Sequence, residues 1–447
     1  MKKNKEKKIQ DFNFFYWFLR YYVDFSLKLS YRKIKYVGKD KIPQDGAVIF
    51  APNHTNALMD ALIILAIDTK PKVFVARADI FKNPTLAKIF TFLKIMPIMR
   101  QRDGFTELKK NQDIINKAVD VLRDRIPFCI FPEGTHQTKY SSLPLSKGIF
   151  RIAFQAQELM PDMPLYIIPT GLIYGNFFRF RSTVRVQIGE PINVGEFIAN
   201  HSDLSQQEQM TKMKDLLTER IQSSILYIPN DDDYTASYEI CNIAQPIERK
   251  ELLKEKANKR KHGLNLQLKA NNNILKRISK LKESNPEKAK QLFDLGNQAN
   301  ALREEKGISM ESVSIKRPIL SRIVKILCII LTLPYTLLTA LLILPMVLIC
   351  KYIFTLLKDP AFKNSVRFLI YLLLWPLLMI VYSIIAYNLF SWQIALPLTI
   401  LLLPSPIIAH EVWKIFRFIR SDIKLLKEKK LRQIHSQIRE IVFGIES

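Results

Sequence analysis

Cysteine is scarce in this 447-residue chain. Cys129, Cys241, Cys328 and Cys350 are scattered, and no two stand in a C-x-x-C pair. That spacing argues against a zinc site or a disulfide framework and fits a reducing compartment. Acidic side chains are outnumbered too: 41 Asp and Glu face 67 Lys and Arg, for a formal net charge of +26. Such an excess favours anionic partners, whether a membrane surface, phosphorylated substrates or nucleic acid. No repeat recurs at solenoid periods. No small-residue cleavage site follows the N-terminal apolar segment, which Asp11, Arg20 and Asp24 interrupt, so it does not read as a secretory signal.

Long apolar runs, by contrast, are present. Leu, Ile, Val, Phe and Tyr dominate residues 319–409. "FLIYLLLWPLLMIVYSIIAY" (368–387) has no charge and reads as a transmembrane helix, and "FSWQIALPLTILLLPSPIIA" (390–409) reads as a second. A further apolar stretch at 326–350 contains Pro334 and Pro345. Charge sets the expected topology. The loop 388–393 has no Lys or Arg, whereas Lys351, Lys358, Lys363 and Arg367 precede it and a basic tail follows. The loop is therefore expected away from the cytoplasm and both flanks inside. The run before Lys351 is then expected to be a re-entrant hairpin, bent near Pro334 or Pro345.

Ahead of the membrane part the chain changes character several times. Residues 1–32 read as an amphipathic membrane-interface helix, with Phe14, Phe15, Phe18, Tyr21, Tyr22 and Phe25 on one face and Arg20, Asp24 and Lys28 on the other. Residues 33–228 alternate short β-rich runs (34–38, 47–52, 72–76, 127–131, 165–173, 183–189) with helical patterns (58–67, 84–93, 106–124, 147–159, 205–226). That alternation predicts an α/β domain, a mixed sheet flanked by helices. Residues 229–316 are polar, basic and helical in propensity, and are expected to be a linker or arm with a solvated face rather than a nucleic-acid surface. Transmembrane helices at 317–412 and a basic cytoplasmic tail at 413–447 complete the order.

Within the α/β region, polar residues gather at strand ends. "APNHTNALMD" (51–60) puts His54 and Asp60 at the corner between a buried strand and a helix. On one continuous helix a six-residue offset leaves two side chains about 120° apart. They can meet only if His54 lies on the turn and Asp60 on the helix. "MPIMRQRDG" supplies Arg100 and Arg102, "FPEGTH" supplies Glu133, Gly134, Thr135 and His136, and "LSKGIF" supplies Lys147. Strand ends that converge on one edge of an α/β sheet are where such folds place ligands. A base, arginines suited to phosphate, and a Gly-Thr turn offering N–H groups and a hydroxyl suggest chemistry on a phosphorylated alcohol.

In order and in type these residues resemble the glycerolipid acyltransferases that use a His-to-Asp motif. The family pattern is Asn-His, a spacer and Asp, then an Arg block, Phe-Pro-Glu-Gly-Thr and a hydrophobic Pro turn. All four are present over roughly residues 35–200. The resemblance implies acyl transfer from acyl-CoA or acyl-carrier protein, as substrate rather than resident cofactor, to a glycerol-phosphate hydroxyl. It implies no metal. His54 and Asp60 are then catalytic; Arg100, Arg102, Glu133, Gly134, Thr135 and Lys147 bind the acceptor; membrane lipids, not nucleic acid, are the partners; and the catalytic domain faces the cytoplasm. The five-residue spacer "TNALM" is similar to the fungal-type branch, which acylates glycerol 3-phosphate and dihydroxyacetone phosphate. His136 stands where the family has Arg, which leaves the phosphate contact there to Lys147 or Arg102. A lysophosphatidic acid acyltransferase fits the same motifs, while intact His54, Asp60 and Glu133 argue against a non-catalytic membrane scaffold.

Overall fold

The computed structural model of the chain describes residues 8–98, 108–254, 263–315 and 319–444. Arg100 and Arg102 lie outside them. Two compact units emerge. The first takes the chain to Ile225 together with Asp359–Ser365; the second takes Leu226–Lys358 and Val366 onward.

Eight strands build the first unit: β1 (Tyr31–Val37), β2 (Ala47–Pro52), β3 (Val73–Arg77), β4 (Ile95–Ile98), β5 (Phe128–Cys129), β6 (Leu165–Tyr174), β7 (Ser182–Ile188) and β8 (Ile192–Asn193). They form one mixed sheet in the order β1-β7-β6-β2-β5-β3-β4, with β8 beside β6. Every residue of β2 is buried, between parallel neighbours β5 and β6. A strand paired on both edges and covered on both faces needs an unbroken apolar run, and "AVIFAP" supplies it. By contrast β7, antiparallel to β6, alternates buried and half-buried residues at the two-residue period of a strand. Strands β2 to β6 run parallel, so their C-terminal ends open on one edge. That edge carries the polar motifs.

The flanking helices are α1 (Phe14–Ser30), α2 (Leu58–Leu65), α3 (Pro84–Phe92), α4 (Leu108–Arg123), α5 (Gly148–Leu159), α6 (Val194–Ala199) and α7 (Gln206–Ser224). Ile149, Phe150 and Ala153 of α5 join Ile49, Phe128, Ile167 and Leu217 in a single core. The end of α7 crosses β6 so closely that a Cβ on Gly171 would lie 2.5 Å from the Ser224 carbonyl oxygen, so only glycine fits there. The patterning missed β4, β8 and α6. Strand β4 is a four-residue edge strand containing Pro97, where a missing N–H costs no ladder bond. Strand β5 is shorter than the expected 127–131 because Phe131-Pro132 leaves the sheet. Helix α1 buries Tyr16 and Leu27. Arg20, buried with them, donates to the carbonyls of Leu65 (2.7 Å), Asp68 (2.6 Å) and Lys70 (3.1 Å). Phe14, Phe15, Phe18, Tyr21 and Phe25 are left exposed.

In the second unit, residues expected to form a solvated arm instead pack. Helices α8 (Tyr234–Lys254), α9 (Leu264–Ser284), α10 (Pro286–Glu305) and α11 (Met310–Ser314) share a core with α16 (Lys429–Phe443) from the expected tail. Ala236, Ile240, Ile243 and Ala244 of α8 recur at helical spacing and are fully buried beside Ile274, Leu292 and Ile438. The surrounding lysines hid this stripe. Glu239, fully buried, is held by Arg303 Nε at 2.9 Å to both carboxylate oxygens.

The apolar third also departs from expectation. Helix α12 (Ile319–Leu356) runs unbroken through Pro334 and Pro345, so the expected re-entrant hairpin does not form. Each proline removes one backbone hydrogen bond, whereas a reversal within an apolar stretch would strand several. Helix α13 (Phe362–Leu389) covers the expected span 368–387. Residues 390–409 are not one straight helix: α14 (Trp392–Leu402) and α15 (Ser405–Lys427) meet at a 43° bend where Pro404 interrupts them. Thus α12 and α13 are each long and apolar enough to cross a membrane, and the bent pair offers a third crossing.

Candidate active site

The site starts from the end of β2. Asn53 fastens this corner to β6, its Oδ1 accepting from Leu172 N at 2.7 Å and its Nδ2 donating to the Leu172 carbonyl at 3.2 Å. His54 follows, still outside the helix. Ala57 then adopts φ 45°, a left-handed backbone unusual for a residue with a Cβ, and α2 begins at Leu58. This tight entry places Asp60 in the first helical turn, facing back over the corner. The geometry demanded by the six-residue offset is met: His54 Nδ1 lies 2.8 Å from Asp60 Oδ2.

Asp60 is fully buried yet well satisfied. Its Oδ2 also accepts from the backbone N–H groups of Thr55 and Asn56, both at 2.7 Å, and its Oδ1 accepts from Tyr174 Oη at 2.6 Å. An ionised carboxylate only accepts, so the His54 ring carries its hydrogen on Nδ1 and presents the Nε2 lone pair. Among the described residues Nε2 has no partner. Phe131 stacks on the imidazole, with centroids 4.1 Å apart and an interplanar angle of 22°. The His54 carbonyl accepts from Gln137 N at 3.1 Å, which ties the corner to the Phe-Pro-Glu-Gly-Thr turn.

Glu133 lies inside that turn and is 6% exposed. Neither carboxyl oxygen has a hydrogen bond of ordinary geometry among the described residues. Burial pushes its pKa up to about 8; the backbone N–H groups of Leu143 and His54 face it and offset part of that rise, while the Asp60 charge adds to it. The sign of the linkage follows. Between the ordinary 4.5 and about 8 the folded protein holds a proton that the unfolded chain releases, so stability falls as pH rises through that window. Melting temperatures in detergent from pH 6 to 9 should decline more steeply for the natural protein than for Glu133→Gln. Parallel curves would mean that Glu133 is already ionised in the fold.

Gly134 takes φ 66° to turn the chain, and Gly134 and Thr135 are exposed beside Glu133. Lys147 caps α5. The residue before it, Ser146, donates to the Pro132 carbonyl at 2.7 Å, and Gly148 approaches Ile98 at the end of β4. The turn therefore brings Lys147 to the same sheet edge, with its side chain exposed.

Several participants were not foreseen. Tyr174 is fully buried, and its hydroxyl is pushed far above the usual range by burial and the Asp60 charge, which keeps it a donor. The Tyr31 ring sits 6.2 Å from that of Tyr174 and its hydroxyl accepts from Asn364 Nδ2 at 3.1 Å. His136 has a partner of its own: its Nε2 lies 2.8 Å from Asp359 Oδ2, and its ring stands edge-on to His54 with centroids 5.3 Å apart. Asp359 and Asn364 follow His136 by more than two hundred positions, so no local pattern could have joined them. Tyr174 directly follows the predicted strand 165–173 at the correct edge, and that placement was the available signal.

Comparison with known proteins follows this geometry. Residues 33–172 match the protein-family model described as Acyltransferase. Glycerol-3-phosphate O-acyltransferase 2 of Saccharomyces cerevisiae is 27% identical over 157 residues, 34% of this chain and 21% of that protein. The 1-acyl-sn-glycerol-3-phosphate acyltransferase of Borreliella burgdorferi is 24% identical over 176 residues, 39% of this chain and 68% of that one. Among solved structures, the 1-acyl-sn-glycerophosphate (LPA) acyltransferase from Thermotoga maritima aligns with a TM-score of 0.34 at 18% identity, over 46% of this chain and 80% of that chain. The match spans about a fifth of the yeast protein's length. The match to the Acyltransferase model is thus confined to residues 33–172.

Proposed function

We propose that the protein transfers a fatty acyl group from an acyl thioester, acyl-CoA or acyl-carrier protein, to a hydroxyl of glycerol 3-phosphate, the opening step of phosphatidic acid and phospholipid synthesis. One observation carries this reading: a histidine whose Nδ1–H is locked onto a buried carboxylate, with Nε2 open at the sheet edge. Nε2 removes the acceptor's hydroxyl proton while Asp60 stabilises the imidazolium that forms. The oxygen attacks the thioester carbonyl, and the collapsing adduct breaks the C–S bond. His54 returns the proton to the departing thiolate, so no acyl-enzyme is needed. In this reading Glu133, Gly134 and Thr135, with Lys147, Arg100 and Arg102, bind the acceptor.

The exposed aromatic face of α1 and the apolar helices α12 and α13 support a membrane location, where an acylated product can leave into lipid. In this reading the domain faces the cytoplasm, where its donors are made. The five-residue His54-to-Asp60 spacer and the yeast relatives favour glycerol 3-phosphate as acceptor. A second reading, acylation of lysophosphatidic acid, is favoured by relatives named for that reaction. Full-length protein in detergent, given acyl-CoA with labelled glycerol 3-phosphate or labelled lysophosphatidic acid, separates the two. Labelled lysophosphatidic acid is expected from glycerol 3-phosphate. Consumption of lysophosphatidic acid alone would replace the first reading with the second.

A further inference from the structure

The first unit contains a second histidine–carboxylate pair, and its carboxylate comes from the segment that joins α12 to α13. Asp359 is held by its own turn, Oδ1 accepting from Ala361 N at 2.8 Å, which leaves Oδ2 for His136 Nε2. Ala361 beside it is buried, and Asn364, in the first turn of α13, donates from Nδ2 to the buried Tyr31 hydroxyl. Phe362 meets the His136 ring edge-on at 5.0 Å. His136 is therefore oriented from two sides. Because the carboxylate only accepts, Nε2 must carry hydrogen, and in the neutral ring Nδ1 is then an acceptor. No partner for Nδ1 is present among the described residues. The two ring centroids are 5.3 Å apart, so both imidazoles stand at one site.

We propose that His136, set by Asp359, accepts a hydrogen bond from a second free hydroxyl on the acceptor, next to the one being acylated. It would thereby select phosphorylated polyols over acceptors that lack that donor. Asp359 is the positioning residue, and His136 touches substrate. This deepens the acyl-transfer reading and rests on it. Dihydroxyacetone phosphate, with a carbonyl in place of the neighbouring hydroxyl, and 3-hydroxypropyl phosphate, with nothing there, both lack the donor.

The test uses full-length protein in detergent with acyl-CoA and these three acceptors. For the natural protein, kcat/KM is expected to be about tenfold or more higher for glycerol 3-phosphate than for 3-hydroxypropyl phosphate, the scale of one substrate hydrogen bond. In His136→Ala and Asp359→Ala that preference should collapse, chiefly through KM for glycerol 3-phosphate, with 3-hydroxypropyl phosphate turnover little changed. If Asp359 acts through His136, the double variant should be no worse than His136→Ala alone. Asp359→Glu, which keeps a carboxylate, should recover part of the preference. Equal loss on both acceptors, or additive losses in the double variant, would overturn the proposal. Failure of the natural protein to acylate any of the three would instead overturn the glycerol 3-phosphate reading on which the proposal rests.

Discussion

His54→Ala should lower acyl transfer by about 10²–10⁴-fold while leaving the protein folded and membrane-bound. The imidazole is only partly buried at the corner, 17% exposed, and removing it deletes one of four donors to Asp60 without disturbing the other three. The backbone of the corner is secured independently by Asn53 and by the N–H groups of Thr55 and Asn56. The loss should therefore appear in kcat, with KM for both substrates near its natural value. Initial rates with labelled glycerol 3-phosphate, alongside a melting curve, measure it. Near-normal turnover by a folded His54→Ala protein would eliminate His54 as the base.

Asp60→Asn should cost about 10²–10⁴-fold as well, by a different route. An amide in this cage keeps its oxygen toward His54, Thr55 and Asn56, because all three donate to Oδ2. Its NH2 group then faces Tyr174 Oη, which must turn from donor to acceptor. The His54 tautomer is thus preserved and the negative charge behind it is lost. Where a triad's Asp→Asn change imposes the wrong tautomer, the loss is about 10⁴-fold; here the charge alone is removed, so the loss should fall toward the lower end of the range. Tyr174→Phe separates the two contributions. It leaves one carboxylate oxygen without its hydroxyl donor but keeps the charge, and should cost far less in rate than in stability. If Tyr174→Phe were as inactive as Asp60→Asn, the hydroxyl rather than the carboxylate would control the imidazole.

How much of this was legible in the sequence depends on whether the information was local. The buried run of β2 and the alternation of β7 were readable because burial imposes a period on adjacent residues. The His54–Asp60 contact was readable because strand-to-helix geometry leaves few ways to join positions six apart. The basic segment before Ile319 misled because charge is counted over all faces of a helix, whereas packing needs only one; Ile240 and Ile243 supplied it. The hairpin expectation failed for a related reason: charge bias around Lys351 constrains loops, not the interior of α12. Tyr31, Asp359 and Asn364 reach the site through tertiary closure across most of the chain, and no window of sequence contains that.

The unbroken course of α12 has a mechanical consequence. Residues 326–350, between Lys325 and Lys351, carry no charge and extend about 38 Å at about 1.5 Å per residue. A hydrocarbon layer is about 30 Å thick, so this stretch is about 8 Å longer than one upright crossing needs. Kept whole through both prolines, it presents lipid with one continuous uncharged surface, and Tyr352, 67% exposed, stands where that surface gives way to Lys351, a position aromatic rings prefer.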